Sequence, residues 1–245
     1  MATTVFDLAS KMNVVPNVAS YTTVIRGWCE RGCEDRAIKV MKQMKEAGVR
    51  PSVVTFTTLI RSYCKNKNMS AAMSVLDAMR ESGLRADVRT YTTLMQGWIE
   101  LKKMDRAMDL FKKMKRNKRV RPDVVTYNLL ISGWARSMGQ MDEAEKVMQD
   151  LMNDRNVSPN DRTFCALFRG YSCLFREDLN WRAERMYYWL CRMRDMKIKP
   201  NQHTAKPFSQ MNLYFPSYDQ PFWKNYGMPY DPRRDCSSRR RDRYR

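Results

Sequence analysis

A short polar side chain follows an aromatic one at five places: Thr22 after Tyr21, Thr57 after Phe56, Thr92 after Tyr91, Asn128 after Tyr127 and Cys165 after Phe164. The aromatics are spaced 35, 35, 36 and 37 residues apart. Thr and Asn offer hydrogen-bond donors and acceptors without being acids, bases or nucleophiles themselves, so what they supply is recognition. Groups that could do catalysis are sparse. The single histidine, His203, lies in a Pro-flanked segment with no Cys pair beside it. Asp105, Asp142 and Glu143 fall at expected helix starts, where an acidic residue suits the helix dipole. No Gly-rich phosphate loop is present. The chain is therefore not expected to be an enzyme, and no cofactor or small-molecule substrate is expected. The seven cysteines are odd in number and contain no Cys-x-x-Cys pair, which argues against a disulfide framework or a zinc site. Cys29 and Cys64 occupy matching places in successive periods and read as small thiols in a helical core.

A fixed period in this range means stacked repeat units. After each aromatic, apolar or small residues recur at helical spacing, as in Tyr21, Val24, Ile25, Gly27, Trp28 and in Tyr91, Leu94, Met95, Gly97, Trp98. Gly or Ser stands one residue before the second aromatic, where a small residue lets a neighbouring helix approach closely. A second helix follows, with one face formed by Ala37, Met41, Met44; Ala72, Leu76, Met79; Ala107, Phe111, Met114; Ala144, Met148, Leu151; and Ala183, Tyr187, Leu190. Gly48 and Gly83 are stop signals, and Pro51, Pro122, Pro159 and Pro200 close units. The methionine stripe is core packing. Residues 1–17 read as the second helix of a half unit. Units then span 18–52, 53–87, 88–123, 124–160 and 161–201. Residues 202–245 break the period: five prolines and many aromatics predict an extended arm, and seven Arg against two Asp follow from Arg233 to Arg245.

The chain carries 45 Lys+Arg against 26 Asp+Glu, a formal charge of +19, which calls for a polyanionic partner such as RNA, DNA or anionic lipid. No apolar run approaches the ~18 residues of a membrane span, and no membrane role is expected. The opening Met1-Ala2-Thr3-Thr4-Val5-Phe6-Asp7 has neither transit-peptide nor signal-peptide character. Either targeting information was removed or the chain begins inside a longer protein. The run Lys112 to Arg121 is the densest basic stretch of the repeats and reads equally as a solvated face or a phosphate-contact surface.

The run Val53-Val54-Thr55-Phe56-Thr57-Thr58-Leu59-Ile60, the Ala…Met…Met second helix and the closing Arg50-Pro51 and Arg121-Pro122-Asp123 resemble P-type pentatricopeptide repeats across residues 18–201. The resemblance implies an all-α, right-handed α-solenoid of five helix-turn-helix units with an N-terminal half unit and an extended C-terminal tail. It also implies single-stranded RNA binding at one base per repeat. By the same resemblance the reading pairs are Thr22 with Ser52, Thr57 with Asp87, Thr92 with Asp123, and Asn128 with Asn160; Cys165 with Asn201 has no reading. Base-flanking residues are Ala19, Val54, Arg89, Val125 and Arg162, the two arginines being unusual there. The implied tract is 5′-(A)-G-G-(C/U)-3′, parallel to the repeats. Lys65 and Arg136 fit phosphate contacts, whereas Glu30 and Glu100 at the equivalent positions do not. The competing structural reading makes Thr22, Thr57 and Thr92 simple helix caps.

The expected function is RNA binding in organellar gene expression, in a mitochondrion or alternatively a chloroplast. The alternative is a structural subunit of an organellar ribonucleoprotein such as the mitochondrial ribosome, with rRNA and protein contacts. There residues 202–245 would contact neighbouring proteins and Arg239, Arg240 and Arg241 would fold onto RNA. A protein-binding helical scaffold would explain the repeats and leave the charge unused.

Overall fold

The computed structural model describes residues 15–117, 119–137, 140–174 and 178–211. The expected half-unit helix before residue 15 and the Arg-rich tail, with Arg239, Arg240 and Arg241, lie outside the described residues. Among those residues there are eleven α-helices and no strand. The chain divides into two compact units, residues 1–122 and 123–245.

In the first unit, α1 (Val18–Glu30), α3 (Val53–Lys65) and α5 (Val88–Glu100) each pair with the following α2 (Glu34–Glu46), α4 (Met69–Glu81) and α6 (Met104–Arg116). The odd helices stack on one another, α1 on α3 and α3 on α5. In the second unit α7 (Val124–Arg136) pairs with α8 (Met141–Asn153) and α9 (Asp161–Ser172) with α10 (Leu179–Asp195). There α9 packs on α7 and, on its other side, on α11 (Gln202–Gln210).

The helix ends follow from local chemistry. Asn17, Ser52, Asp87, Asp123, Asn160 and Asn201 are N-caps whose side chains accept the backbone N–H three residues on. Gly48 and Gly83 end α2 and α4 at φ 73° and 74°. The next amides, Val49 and Leu84, close back onto the Met44 and Met79 carbonyls, the Schellman arrangement.

The core is the two apolar faces read from the sequence. Tyr21, Ile25 and Trp28, their counterparts in α7 and α9, Phe56 and Ile60 of α3, Tyr91 and Met95 of α5, and the Ala/Met/Leu/Phe sets of α2, α4, α6 and α8 are buried, while Tyr63 and Trp98 are half-buried. Gly97 and Gly170 mark the tightest approaches. A Cβ on Gly97 would lie 2.6 Å from Met69 Sδ and 2.9 Å from Cys64 Sγ, and one on Gly170 would lie 2.5 Å from Met141 Sδ and 2.7 Å from Ala135 Cβ.

Two expectations are corrected. In α10 the buried face is Met186, Trp189, Leu190 and Met193, while Ala183 and Tyr187 are half-buried. The face turns because Glu145 of α8, itself buried, accepts from Trp189 Nε1 at 3.0 Å, from Arg185 Nε at 2.9 Å and from the Tyr171 hydroxyl. The extended arm expected from residue 202 opens instead as α11, with Pro207 inside it. Proline has no N–H to give the carbonyl four residues back. That carbonyl, His203 O, accepts the Cys165 thiol at 3.3 Å.

Candidate nucleic-acid interface

The residues expected to read bases lie at the starts of the first helices. Thr22, Thr57 and Thr92 are not the caps: each hydroxyl donates to the carbonyl four residues back, on Val18, Val53 and Val88, at 2.7–2.8 Å. Their pair-mates are the caps. Ser52 and Asp87 hold Thr55 N and Thr90 N at 3.3 and 2.8 Å, Asp123 holds Thr126 N at 2.8 Å and Asn160 holds Thr163 N at 3.1 Å. Each capped position carries a threonine with no exposed surface: Thr55, Thr90, Thr126, Thr163 and Thr204.

Three of these threonines, Thr55, Thr90 and Thr163, tie one repeat to the expected reader of the repeat before. Thr55 Oγ1 lies 2.8 Å from Thr22 Oγ1, and Thr90 Oγ1 lies 2.9 Å from Thr57 Oγ1. In the second unit Thr163 Oγ1 donates to Asn128 Oδ1 at 2.6 Å and Asn128 Nδ2 to Asn160 Oδ1 at 3.2 Å. Thr22 and Thr57 are only 6 % and 9 % exposed, so they form a floor rather than projecting.

In the first unit that floor opens into a groove of about 390 Å³ whose lining includes Thr57, Asp87, Val54, Arg89, Arg26, Arg61 and Lys65. Val54 and Val125 are 57 % and 60 % exposed, unusual for valine, and Arg89 and Arg162 are exposed at the matching places. An exposed apolar or planar group beside a polar floor can flank a base.

Arg26 and Arg61 were not singled out from the sequence. They sit one helical turn beyond Thr22 and Thr57 on the same face, and Lys65 one turn beyond Arg61. The four-residue step from the reader was the signal for them. Arg136 is exposed, with its Nε turned onto Ser132 O at 3.2 Å. Glu30 joins the groove lining and Glu100 accepts from Gln96 at 3.0 Å.

Three thiols are held in the unreactive protonated form. Burial pushes Cys64 up to about 12, helped by the charge of Glu100, and burial raises Cys29 and Cys165 as well. Such thiols stay protonated at neutral pH. Among the described residues no group of three or more His, Cys, Asp or Glu could hold a metal ion. No described helix is long and apolar enough to cross a membrane.

Residues 16–65, 51–100, 86–136 and 122–173 match the PPR repeat family. The chain belongs to that family. A pentatricopeptide repeat-containing protein of Arabidopsis thaliana is 38 % identical over 84 residues, 34 % of this chain and 13 % of the relative. The repeats superpose on maize PPR10 with a TM-score of 0.64 at 19 % identity, covering 84 % of this chain and 27 % of that one. PPR10 in complex with an 18-nt psaJ RNA element gives 0.63 at 23 % identity, covering 90 % and 31 %. The PPR domain of Arabidopsis thaliana protein-only RNase P 1, in complex with tRNA, gives 0.58 at 18 % identity, covering 78 % of this chain and 95 % of that one. These likenesses show a PPR solenoid fold. The chain spans less than a third of the curated relative and of PPR10.

Proposed function

We propose that this PPR protein binds single-stranded RNA, with base edges meeting the paired polar side chains at the first-helix starts and the backbone lying along the cations beyond them. The first-unit groove carries this reading. Thr57 and Asp87 form its polar floor, Val54 and Arg89 rise beside them, and Arg61 and Lys65 follow at one-turn steps. A base meets hydrogen-bonding groups first and phosphates meet charge further out, which is the division of labour in nucleic-acid recognition. The RNA complex of PPR10 supports the same use of the fold.

Thr57 with Asp87 and Thr92 with Asp123 select guanine, Asn128 with Asn160 a pyrimidine, and Thr22 with Ser52 leans to adenine. Val54, Arg89, Val125 and Arg162 flank the bases; Lys65 and Arg136, together with Arg26 and Arg61, take phosphate. The role is a binding one, with no catalytic step, in organellar RNA metabolism or translation, in a mitochondrion or alternatively a chloroplast.

One observation favours the structural-subunit alternative. The readers already spend their hydroxyl protons on their own chain, so the repeats could dock on rRNA or protein without reading sequence. Fluorescence anisotropy of labelled 10-mers at one salt concentration separates the two. Readout predicts that an AGGC-containing strand binds about tenfold tighter than a C-rich strand, and that Thr57→Asn with Thr92→Asn removes the difference. Equal binding to both strands by the wild type would leave the docking role.

A further inference from the structure

The reading pairs can select bases only if their donors and acceptors point the right way, and at each of two junctions a buried threonine contributes to that through its amide and its hydroxyl. We propose that Thr90 and Thr163 are positioning residues that set the hydrogen-bond polarity of the reading pairs Thr57–Asp87 and Asn128–Asn160. This role rests on the RNA reading above and deepens it.

At the first junction Asp87 Oδ1 accepts both the Thr90 amide and the Thr90 hydroxyl, each at 2.8 Å. An ionised carboxylate has no proton to give, and a charge-assisted bond outcompetes a neutral one. Thr90 therefore turns its proton to Asp87 and its lone pairs to Thr57 Oγ1, 2.9 Å away. The one proton of Thr57 is held inward between Val53 O, at 2.8 Å, and Thr90 Oγ1. What Thr57 shows the groove is a lone pair, and Asp87 adds its second carboxylate oxygen. The pair accepts only. A guanine edge, with N1–H and N2–H₂ adjacent, satisfies two acceptors; an adenine edge brings its N1 lone pair against one of them.

At the second junction the chain of inference starts from a backbone amide. Thr163 N–H can only donate, so the atom of Asn160 it meets at 3.1 Å is the amide oxygen. The Asn128 atom 3.2 Å from that oxygen is then its nitrogen. Thr163 Oγ1 has one proton and two oxygens in reach, Asn128 Oδ1 at 2.6 Å and Asn160 Oδ1 at 3.0 Å; the nearer Asn128 oxygen takes it, since Asn160 Oδ1 already accepts two N–H groups. Both amide oxygens are turned inward, and the remaining N–H groups of Asn128 and Asn160 are what the pair has left to offer. This pair donates only. It suits the adjacent O2 and N3 acceptors of cytosine and meets guanine's paired donors with donors of its own.

Neither threonine has any exposed surface, so neither touches RNA, and a purely structural role would weaken binding to every sequence alike. The test is a set of labelled single-stranded RNA 10-mers carrying A-G-G-C, varied at the second or the fourth base and titrated with the full chain. The wild type is expected to prefer G over A at the second base, and C over G at the fourth, each about tenfold. Thr90→Val should bring the first ratio below about threefold and leave the second alone, and Thr163→Val should do the reverse. Thr90→Ser and Thr163→Ser, which keep the hydroxyl, should restore the wild-type ratios. Thermal melts establish which variants fold, and with the junctions in different units either one answers the question if the other variant is unfolded. Folded valine variants with wild-type ratios would overturn the positioning role and leave RNA reading standing. A wild type with no preference at either base would overturn both.

Discussion

Lys67 and Lys102 hold left-handed backbone, φ 60° and 58°, at the turns after α3 and α5, where Gly32 stands at 68° after α1. A side chain in that region costs on the order of 1 kcal/mol that glycine avoids. Lys102→Gly is expected to stabilise the first unit by about 0.5–1 kcal/mol, read as a higher Tm at unchanged unfolding slope. In the groove, Arg61→Gln is expected to weaken single-stranded RNA binding to a similar extent for all sequences and to lower the salt slope by about one. Loss confined to one sequence would instead make Arg61 a base reader. At this scale the sequence showed where the first helices start, because Thr or Asn behind an aromatic repeats in register. The competing reading placed the caps at Thr22, Thr57 and Thr92, whereas Ser52, Asp87, Asp123 and Asn160 hold them. The sequence could not show which way the hydroxyl protons point. That depends on the 2.6–2.9 Å contacts between residues 33 to 35 positions apart, which exist only once the hairpins stack.

The glycines one residue before the second aromatic look alike in sequence and differ in what surrounds them. A methyl group added to Gly27 would meet nothing within 4 Å, whereas one on Gly97 or Gly170 would meet sulfur or carbon inside 3 Å. Gly27→Ala is expected to stabilise by about 0.5–1 kcal/mol through helix propensity. Gly170→Ala, meeting the fixed Cβ of Ala135, is expected to cost about 1–3 kcal/mol by overpacking. Gly97→Ala should cost less, since Met69 Sδ can swing away. Chemical denaturation of the three variants ranks them. Helix pairs were legible from apolar periodicity alone, as the burial of Ala72, Leu76 and Met79 illustrates. The face of α10 was not, because the polar anchor Glu145 lies in another helix and has no periodic signature. Replacing it by Gln keeps an amide oxygen for Trp189 and Tyr171 but removes the charge facing the partly exposed Arg185, and is expected to destabilise the second unit by about 1 kcal/mol. The start of α11 was hidden by Pro207, whose missing bond is invisible as a loss once Cys165 occupies the freed carbonyl.

Over the whole molecule, the proposed function makes the charge of +19 the source of RNA affinity and the paired polar side chains the source of selectivity. These separate experimentally, because counterion release makes the logarithm of affinity fall linearly with the logarithm of salt while base discrimination is nearly salt-independent. A four-base tract recurs about every 256 nucleotides, so under the proposed reading these repeats alone would supply modest selectivity. The most direct test is selection from a random single-stranded RNA pool by the full chain at fixed salt, followed by sequencing of the bound strands. Base readout predicts two adjacent guanines followed by a pyrimidine, an enrichment lost on Thr57→Asn with Thr92→Asn. A bound pool that matches the input at every position, with retention set only by strand length and salt, would contradict it.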